Sequence, residues 1–235
     1  DRPNPIGGIK VDGPIRSADL KSFVAIAPIP IVHGMTVGEL ALMFNEELMI
    51  NSYKKAKLDV VMMKGWHRDL YYDDYNLKWI NPSPNINSLQ AAILYPGMCL
   101  IEGINVSEGR GTNTPFLKIG APYINSDQLV LELSKFGVEG IEISPTSFTP
   151  KSIENMSVHP KYKNEICNGI ELDVRLTKDD QLVVFYDRCL ERTSNGVGQV
   201  NHCTQQEVLA LDAGSWFGPE FKGEHPRLWT RYLSL

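Results

Sequence analysis

Four glycines, two carboxylates and a guanidinium crowd the eighteen residues from Tyr95 to Thr112, Tyr-Pro-Gly-Met-Cys-Leu-Ile-Glu-Gly-Ile-Asn-Val-Ser-Glu-Gly-Arg-Gly-Thr. This composition is poor for a core, because charge is costly to bury and glycine weakens regular structure. It suits a pocket, where backbone freedom beside charge is what a ligand needs. Glu102, Asn105, Ser107, Glu108, Arg110 and Thr112 supply its polar groups.

The rest of the chain can provide a scaffold. At 235 residues, 43% hydrophobic and 22% charged, it is long enough to bury a sizeable core as one or two domains. A net charge of -5 with no Lys/Arg run argues against a nucleic-acid partner and offers no basic patch to anionic membranes. No apolar stretch approaches the roughly 20 residues that span a bilayer. The opening Asp-Arg-Pro-Asn-Pro carries no visible targeting signal. Cys99, Cys167, Cys189 and Cys203 are scattered without a Cys-x-x-Cys pair, so they read as ordinary thiols and not as a zinc site or disulfide framework.

Periodicity indicates α/β to α+β architecture, a mixed sheet with packed helices. Residues Asp1 to Pro30 read as loops with one short extended piece around Phe23 to Ile26. Thr36-Val-Gly-Glu39 is a capping box, and Val37, Leu40, Ala41, Phe44 and Leu48 follow at helical spacing, which predicts a helix from Val37 to about Met49. Leu58 to Met63 has the composition of a buried strand. After the rigid Asn81-Pro-Ser-Pro-Asn85 turn, helices are expected from Ser88 to Leu94 and from Ser126 to Gly137, the latter with Leu129, Leu133 and Phe136 facing inward. Beyond Gly169, two strands, Ile170 to Val174 and Gln181 to Phe185, flank a polar Lys178-Asp-Asp turn. A second capping box, Thr204-Gln-Gln-Glu207, opens a short helix.

Several ordered motifs carry a family resemblance. Asp-Arg-Pro-Asn-Pro-Ile-Gly-Gly (1–8), His-Gly-Met-Thr-Val-Gly-Glu-Leu-Ala (33–41), Gly65-Trp66 with Arg68, Pro82-Ser-Pro-Asn85, Tyr95-Pro-Gly97, the 102–112 segment, Gly120-Ala-Pro122 and Ser147-Phe-Thr-Pro150 resemble the exo-β-N-acetylmuramidases of peptidoglycan recycling. The resemblance assigns residues 1–168 to the later part of such a protein. It implies a periplasmic or secreted glycosidase that removes N-acetylmuramic acid from the non-reducing end of cell-wall fragments, with no cofactor. The family's Gly-Pro-Glu-His-Gly type segment, which supplies its catalytic Glu, has no counterpart here.

A second resemblance covers residues 169–235. Gly169-Ile-Glu-Leu-Asp-Val-Arg-Leu-Thr-Lys178, Arg192-Thr-Ser-Asn-Gly196 and Leu211-Asp-Ala-Gly214 are similar to glycerophosphodiester phosphodiesterases, which are TIM barrels that bind a divalent metal. Glu171 and Asp173 occupy that family's Glu-x-Asp ligand motif, and carboxylates two apart on one strand face suit Ca²⁺ or Mg²⁺. The family's His-Arg-Gly is absent, and Tyr186 stands where its second catalytic His belongs. The expectation is a short strand-strand-helix tail resembling a TIM-barrel fragment.

Glycoside hydrolysis needs one protonated and one ionised carboxyl across the scissile bond. Glu102 and Glu108 are the catalytic candidates, with substrate binding or an ion pair to Arg110 as their other roles. Arg110 suits the lactyl carboxylate of muramic acid, because a guanidinium fork meets a carboxylate bidentately. Asn105, Ser107, Thr112, Asn85, His33, Asn4 and Arg68 complete the expected carbohydrate contacts. The alternatives are a metal-dependent phosphodiesterase at Glu171 and Asp173, or a non-catalytic module that binds cell-wall sugar.

Overall fold

The computed structural model describes residues 1–47, 55–75, 77–136, 141–176, 182–184 and 189–228, and divides into two compact units, Asp1–Ile80 and Asn81–Leu235.

In the first unit the Thr36 box forms as expected. The Thr36 hydroxyl accepts from the Glu39 amide at 3.1 Å, and Glu39 accepts from the Thr36 amide at 3.0 Å, opening α1 (Val37–Glu46). The Asp1 carboxylate adds an acceptor for the Gly38 amide at 2.7 Å, placing negative charge at the helix N-terminus. Leu40, Ala41 and Phe44 are half-buried, whereas Val37 lies exposed on the first turn. Leu48 and Met49 lie outside the described residues. Two expected extended segments are not strands. At 23–26 the chain turns, with Ser22 and Ala25 exchanging backbone hydrogen bonds. Leu58–Met63 is irregular, and no described residue offers it a ladder, so its apolar Val61 and Met62 are exposed.

The second unit holds the sheet. Ser88 caps α2 (Leu89–Met98), its hydroxyl accepting from Ala91 at 3.1 Å. The helix runs past its expected end at Leu94 because Pro96 forfeits only its own amide bond, and the Cys99 amide restores bonding to Tyr95 and Gly97 carbonyls. A 3-10 turn, Cys99–Gly103, continues from it. Then follow β1 (Lys118–Ala121), α3 (Ser126–Ser134), β2 (Ile141–Phe148), β3 (Cys167–Leu176), β4 (Leu182–Val184), α4 (Gln205–Leu209) and β5 (Arg227–Leu228). Asn125 caps α3, which packs on β2 and β3 with Leu129, Val130 and Leu133 half-buried. Phe136, expected on the inner face, is 76% exposed because the helix has already ended at Ser134. Gly137 lies outside the described residues.

Helices and sheet together make the expected mixed α/β fold, but the sheet itself is not mixed: every pairing among the described residues is antiparallel. β3 is its centre and pairs with β1, β2 and β4, and β5 pairs in turn with β4. Ala121, Phe148, Cys167, Ile170 and Val174 are buried there. The 168/169 join between the two family resemblances falls inside this single strand. The Lys178-Asp-Asp turn lies outside the described residues, as do Gln181 and Phe185 at the ends of the expected second strand. Beyond it, Leu190, Val200 and Val208 form a small core with Cys203, Leu211 and Ala213, and the Thr204 capping box opens α4 above it.

Candidate functional site

The glycine-rich segment is anchored at both ends and wrapped around one ring. Ser107 and Gly120 of β1 exchange backbone bonds at 2.8 and 3.0 Å, and the Glu108 carbonyl accepts from the Phe116 amide at 2.8 Å. Phe116 is buried with a left-handed backbone (φ 64°), the Tyr95 ring meets it edge-on at 4.8 Å, and the Arg110 guanidinium lies over its face at 5.2 Å. The Thr112 hydroxyl donates to the Gly109 carbonyl at 2.7 Å, and the Ser107 hydroxyl accepts from the Gly109 amide at 3.3 Å. Both hydroxyls therefore fold the loop. Gly111 has φ +82°, and a Cβ there would lie 2.6 Å from the Lys151 carbonyl oxygen, so only glycine fits without displacement.

The charges converge. Arg110 Nη2 lies 2.9 Å from Glu102 Oε2, and Arg110 Nε 3.8 Å from Glu108 Oε1. Lys161, which sequence reasoning missed, brings Nζ to 3.1 Å from Glu108 Oε2 while donating to the Ile101 and Val106 carbonyls at 2.9 Å each. Its approach to Glu108 lacks hydrogen-bond alignment, so the contact is an ion pair with the oxygen still open. Two carboxylates and two cations leave the cluster neutral. The carboxylates differ in setting: the Glu108 side chain is 4% exposed and flanked by both cations, whereas that of Glu102 is 29% exposed and touches only Arg110 among the cations. Burial first, then the Glu102 charge, pushes the Tyr95 phenol and the Cys99 thiol above their ordinary values.

Asn105 contributes its backbone: its carbonyl accepts from the Tyr123 and Tyr162 hydroxyls at 2.8 and 2.5 Å, while its side chain stands at the surface. Asn85 donates to the Met156 carbonyl at 2.8 Å, leaving its buried Oδ1 open. The aromatic and lysine clamps were not legible, because no local spacing links Lys161 to Val106, 55 residues away.

An open buried polar atom costs about 1–3 kcal/mol, so such atoms are few in folded proteins. Among the described residues six side-chain atoms qualify, and four of them lie between Glu102 and Thr114: Glu102 Oε1, Glu108 Oε2, Arg110 Nε and Thr114 Oγ1. Chemically the cluster holds buried acceptors and an N–H whose hydrogen-bonding capacity the loop itself leaves unused.

The remaining predicted residues belong to the first unit, and all three hold one turn. His33 Nδ1 accepts from the Met35 amide at 3.1 Å, Asn4 Nδ2 reaches the Met35 carbonyl at 3.5 Å, and Arg68 donates to the Gly34 carbonyl at 2.9 Å. Arg68 also pairs with Glu39 and lies 5.0 Å from the Trp66 ring centroid. Burial lowers the His33 value, favouring the neutral ring that accepts this bond.

The metal alternative meets a poor donor set. Glu171 sits on β3 opposite Lys118, whose ammonium is 3.5 Å from its carboxylate, and Asp173 stands opposite Glu142. Among the described residues no three His, Cys, Asp or Glu side chains are grouped to hold a metal ion, and a hard divalent cation asks for six or more oxygens. Among the described residues this donor set does not fit a metal.

Comparison with known proteins places this geometry in context. Residues 1–90 match the family model of the exo-β-N-acetylmuramidase NamZ N-terminal domain, residues 93–186 that of its C-terminal domain, and residues 164–230 the glycerophosphoryl diester phosphodiesterase family. The boundary between the first two lies inside the segment that the motifs assign to the family's later part. The peptidoglycan β-N-acetylmuramidase NamZ of Bacillus subtilis is 44% identical over 174 residues, covering 74% of this chain and 39% of that protein. A putative glycerophosphodiester phosphodiesterase of Bacillus subtilis is 58% identical over 55 residues, 23% of each chain. Two crystal structures of DUF1343 family proteins from Bacteroides fragilis superpose with TM-scores of 0.64 and 0.59 at 34% and 39% identity, each covering 74% of this chain and 43% and 42% of theirs. The chain thus spans well under half the length of these muramidase-type relatives. No helix among the described residues is long and apolar enough to cross a membrane.

Proposed function

We propose that this chain, whose residues 1–186 belong to the exo-β-N-acetylmuramidase family, is the part of a peptidoglycan glycosidase that engages N-acetylmuramic acid at the non-reducing end of cell-wall fragments. The observation that carries the reading is the concentration of open, buried polar atoms between Glu102 and Thr114. A sugar ring offers hydroxyls to the partly exposed Glu102 side chain, and the lactyl group of muramic acid offers a carboxylate to Arg110. No other described segment combines both.

Within that reading the two glutamates have separate tasks. Glu108, buried between Lys161 and Arg110, orients both cations, because a carboxylate so enclosed is out of reach of a sugar. Glu102, whose side chain is 29% exposed, is the acid-base candidate on this chain. Ser107, Thr112 and Asn105 shape the loop, and Asn85 presents its open carbonyl oxygen as an acceptor. A peptidoglycan-derived substrate supports a place of work in the periplasm or beyond the cell surface.

Hydrolysis of a chromogenic N-acetylmuramic acid glycoside, followed in parallel with N-acetylmuramic acid binding by calorimetry, tests the proposal. Turnover abolished in Glu102→Gln supports the full reading. Binding without turnover makes the chain a sugar-binding module, and failure to bind at all overturns it.

A further inference from the structure

The Glu102–Arg110 pair has a geometry that its bare distance hides. In a guanidinium the Nε hydrogen and one hydrogen of Nη2 point the same way, forming the edge that a single carboxylate grips with both oxygens. In this protein that edge is divided between two glutamates. Glu102 Oε2 takes Nη2 at 2.9 Å, while Nε, 3.8 Å from Glu108 Oε1, makes no hydrogen bond at all. Phe116 beneath the guanidinium fixes its plane, so the edge cannot turn to find a better partner.

We propose that Glu102 is a resident anion on Arg110 which a substrate carboxylate displaces, so that this pair selects carboxylate-bearing sugars over their neutral counterparts. The proposal rests on the sugar-binding reading above and names what decides specificity within it.

Charge and burial say which glutamate yields. Glu108 is almost fully enclosed and carries its own counter-ion, Lys161, at 3.1 Å; removing it would leave that ammonium without its only carboxylate among the described residues. Glu102 and Arg110 are each about one-third exposed, at 29% and 32%, and a pair so open to water contributes little and parts easily. The cluster is neutral with two anions and two cations, so a third carboxylate enters only as Glu102 leaves Arg110. The newcomer then gains what Glu102 lacks, both donors of one edge.

Titration of the full chain with D-lactate, read by NMR shifts of the Arg110 side chain, tests the exchange without any sugar. Glu102→Gln keeps size and shape and removes the competing charge. Its affinity for D-lactate should rise roughly fivefold over the parent chain, the factor that matches loss of one partly exposed ion pair. Arg110→Met should abolish the response, and equal melting temperatures certify that both variants are folded. In the same series N-acetylmuramic acid should tighten in Glu102→Gln by the same factor, and N-acetylglucosamine should not change. Unchanged or weaker D-lactate binding in Glu102→Gln, or no binding in either protein, overturns the proposal. Tightened D-lactate with neither sugar bound leaves the exchange standing and refutes the carbohydrate reading instead.

Discussion

Gly120 of β1 and Gly169 of β3 stand opposite each other so closely that a Cβ built on Gly169 would lie 1.8 Å from the Ile119 carbonyl oxygen and 2.6 Å from the Gly120 Cα. The two glycines come from motifs of different families, one muramidase-like and one phosphodiesterase-like. The second resemblance therefore does not begin after a linker. It begins within the strand around which the sheet is built, and β1, β2 and β4 all pair with that strand.

Gly169→Ala should accordingly destabilise the second unit by about 3 kcal/mol or more, since backbone cannot retreat as a side chain can. Gly103→Ala is the control: nothing lies within 4 Å of its Cβ position, and its effect should stay within about 0.5 kcal/mol. Urea denaturation followed by tryptophan fluorescence compares the two, and equal midpoints would show that the contact is not the constraint described.

Lys161→Met should cost about 2–3 kcal/mol. Removing one partner of a fully buried pair costs about 3–5 kcal/mol, and the 30% exposure of Lys161 lowers that figure. The variant strands the Glu108 carboxylate and two backbone acceptors at once. Lys161→Arg should recover part of the loss, whereas Glu108→Gln combined with Lys161→Met should be less damaging than the sum of the two, which a double-mutant cycle in thermal unfolding measures.

Gly111→Ala acts on the loop itself. With φ at +82° and the Lys151 carbonyl in the way, the segment must shift, and N-acetylmuramic acid binding should fall by about tenfold or more. Amide exchange around Leu190, Val200 and Val208 should not change, since that small core is built without the loop. A calorimetric titration beside an exchange experiment reads both.

Acid should loosen the last described segment through Asp212. The Ser215 hydroxyl, then the Ser215, Gly214 and Gly223 amides, hold its carboxyl well below the usual carboxylate range. A group depressed in the folded state stabilises at every pH above its unfolded value of about 3.9, and that contribution is lost as pH falls toward the folded one. Asp212→Asn should therefore be less stable than the parent at pH 7, with the gap closing below about pH 4. Melting curves from pH 7 to pH 2 follow it, and a gap that persists in acid would rule out the carboxylate as the source.

What could be read along the chain were features whose causes lie within a few residues. The capping boxes at Thr36 and Thr204 form as their spacing implies, because a hydroxyl and a carboxylate three residues apart meet whatever surrounds them. The segment from Ile170 to Val174 is strand, and the polar stretch from Ile104 to Thr112 is a loop, since glycine and charge exclude core structure. Other outcomes depended on partners far away in sequence. Leu58 to Met63 has a strand's composition but no ladder, whereas Pro96 did not stop α2, because Cys99 found the Tyr95 carbonyl. Glu102, Glu108 and Arg110 were visible as candidates. Only the fold brought Lys161 and the two tyrosines onto the loop, left Glu102 partly exposed and enclosed Glu108. Residue type sets what a side chain can do, and burial and counter-ion, which the packing of distant segments creates, decide which of those things it does.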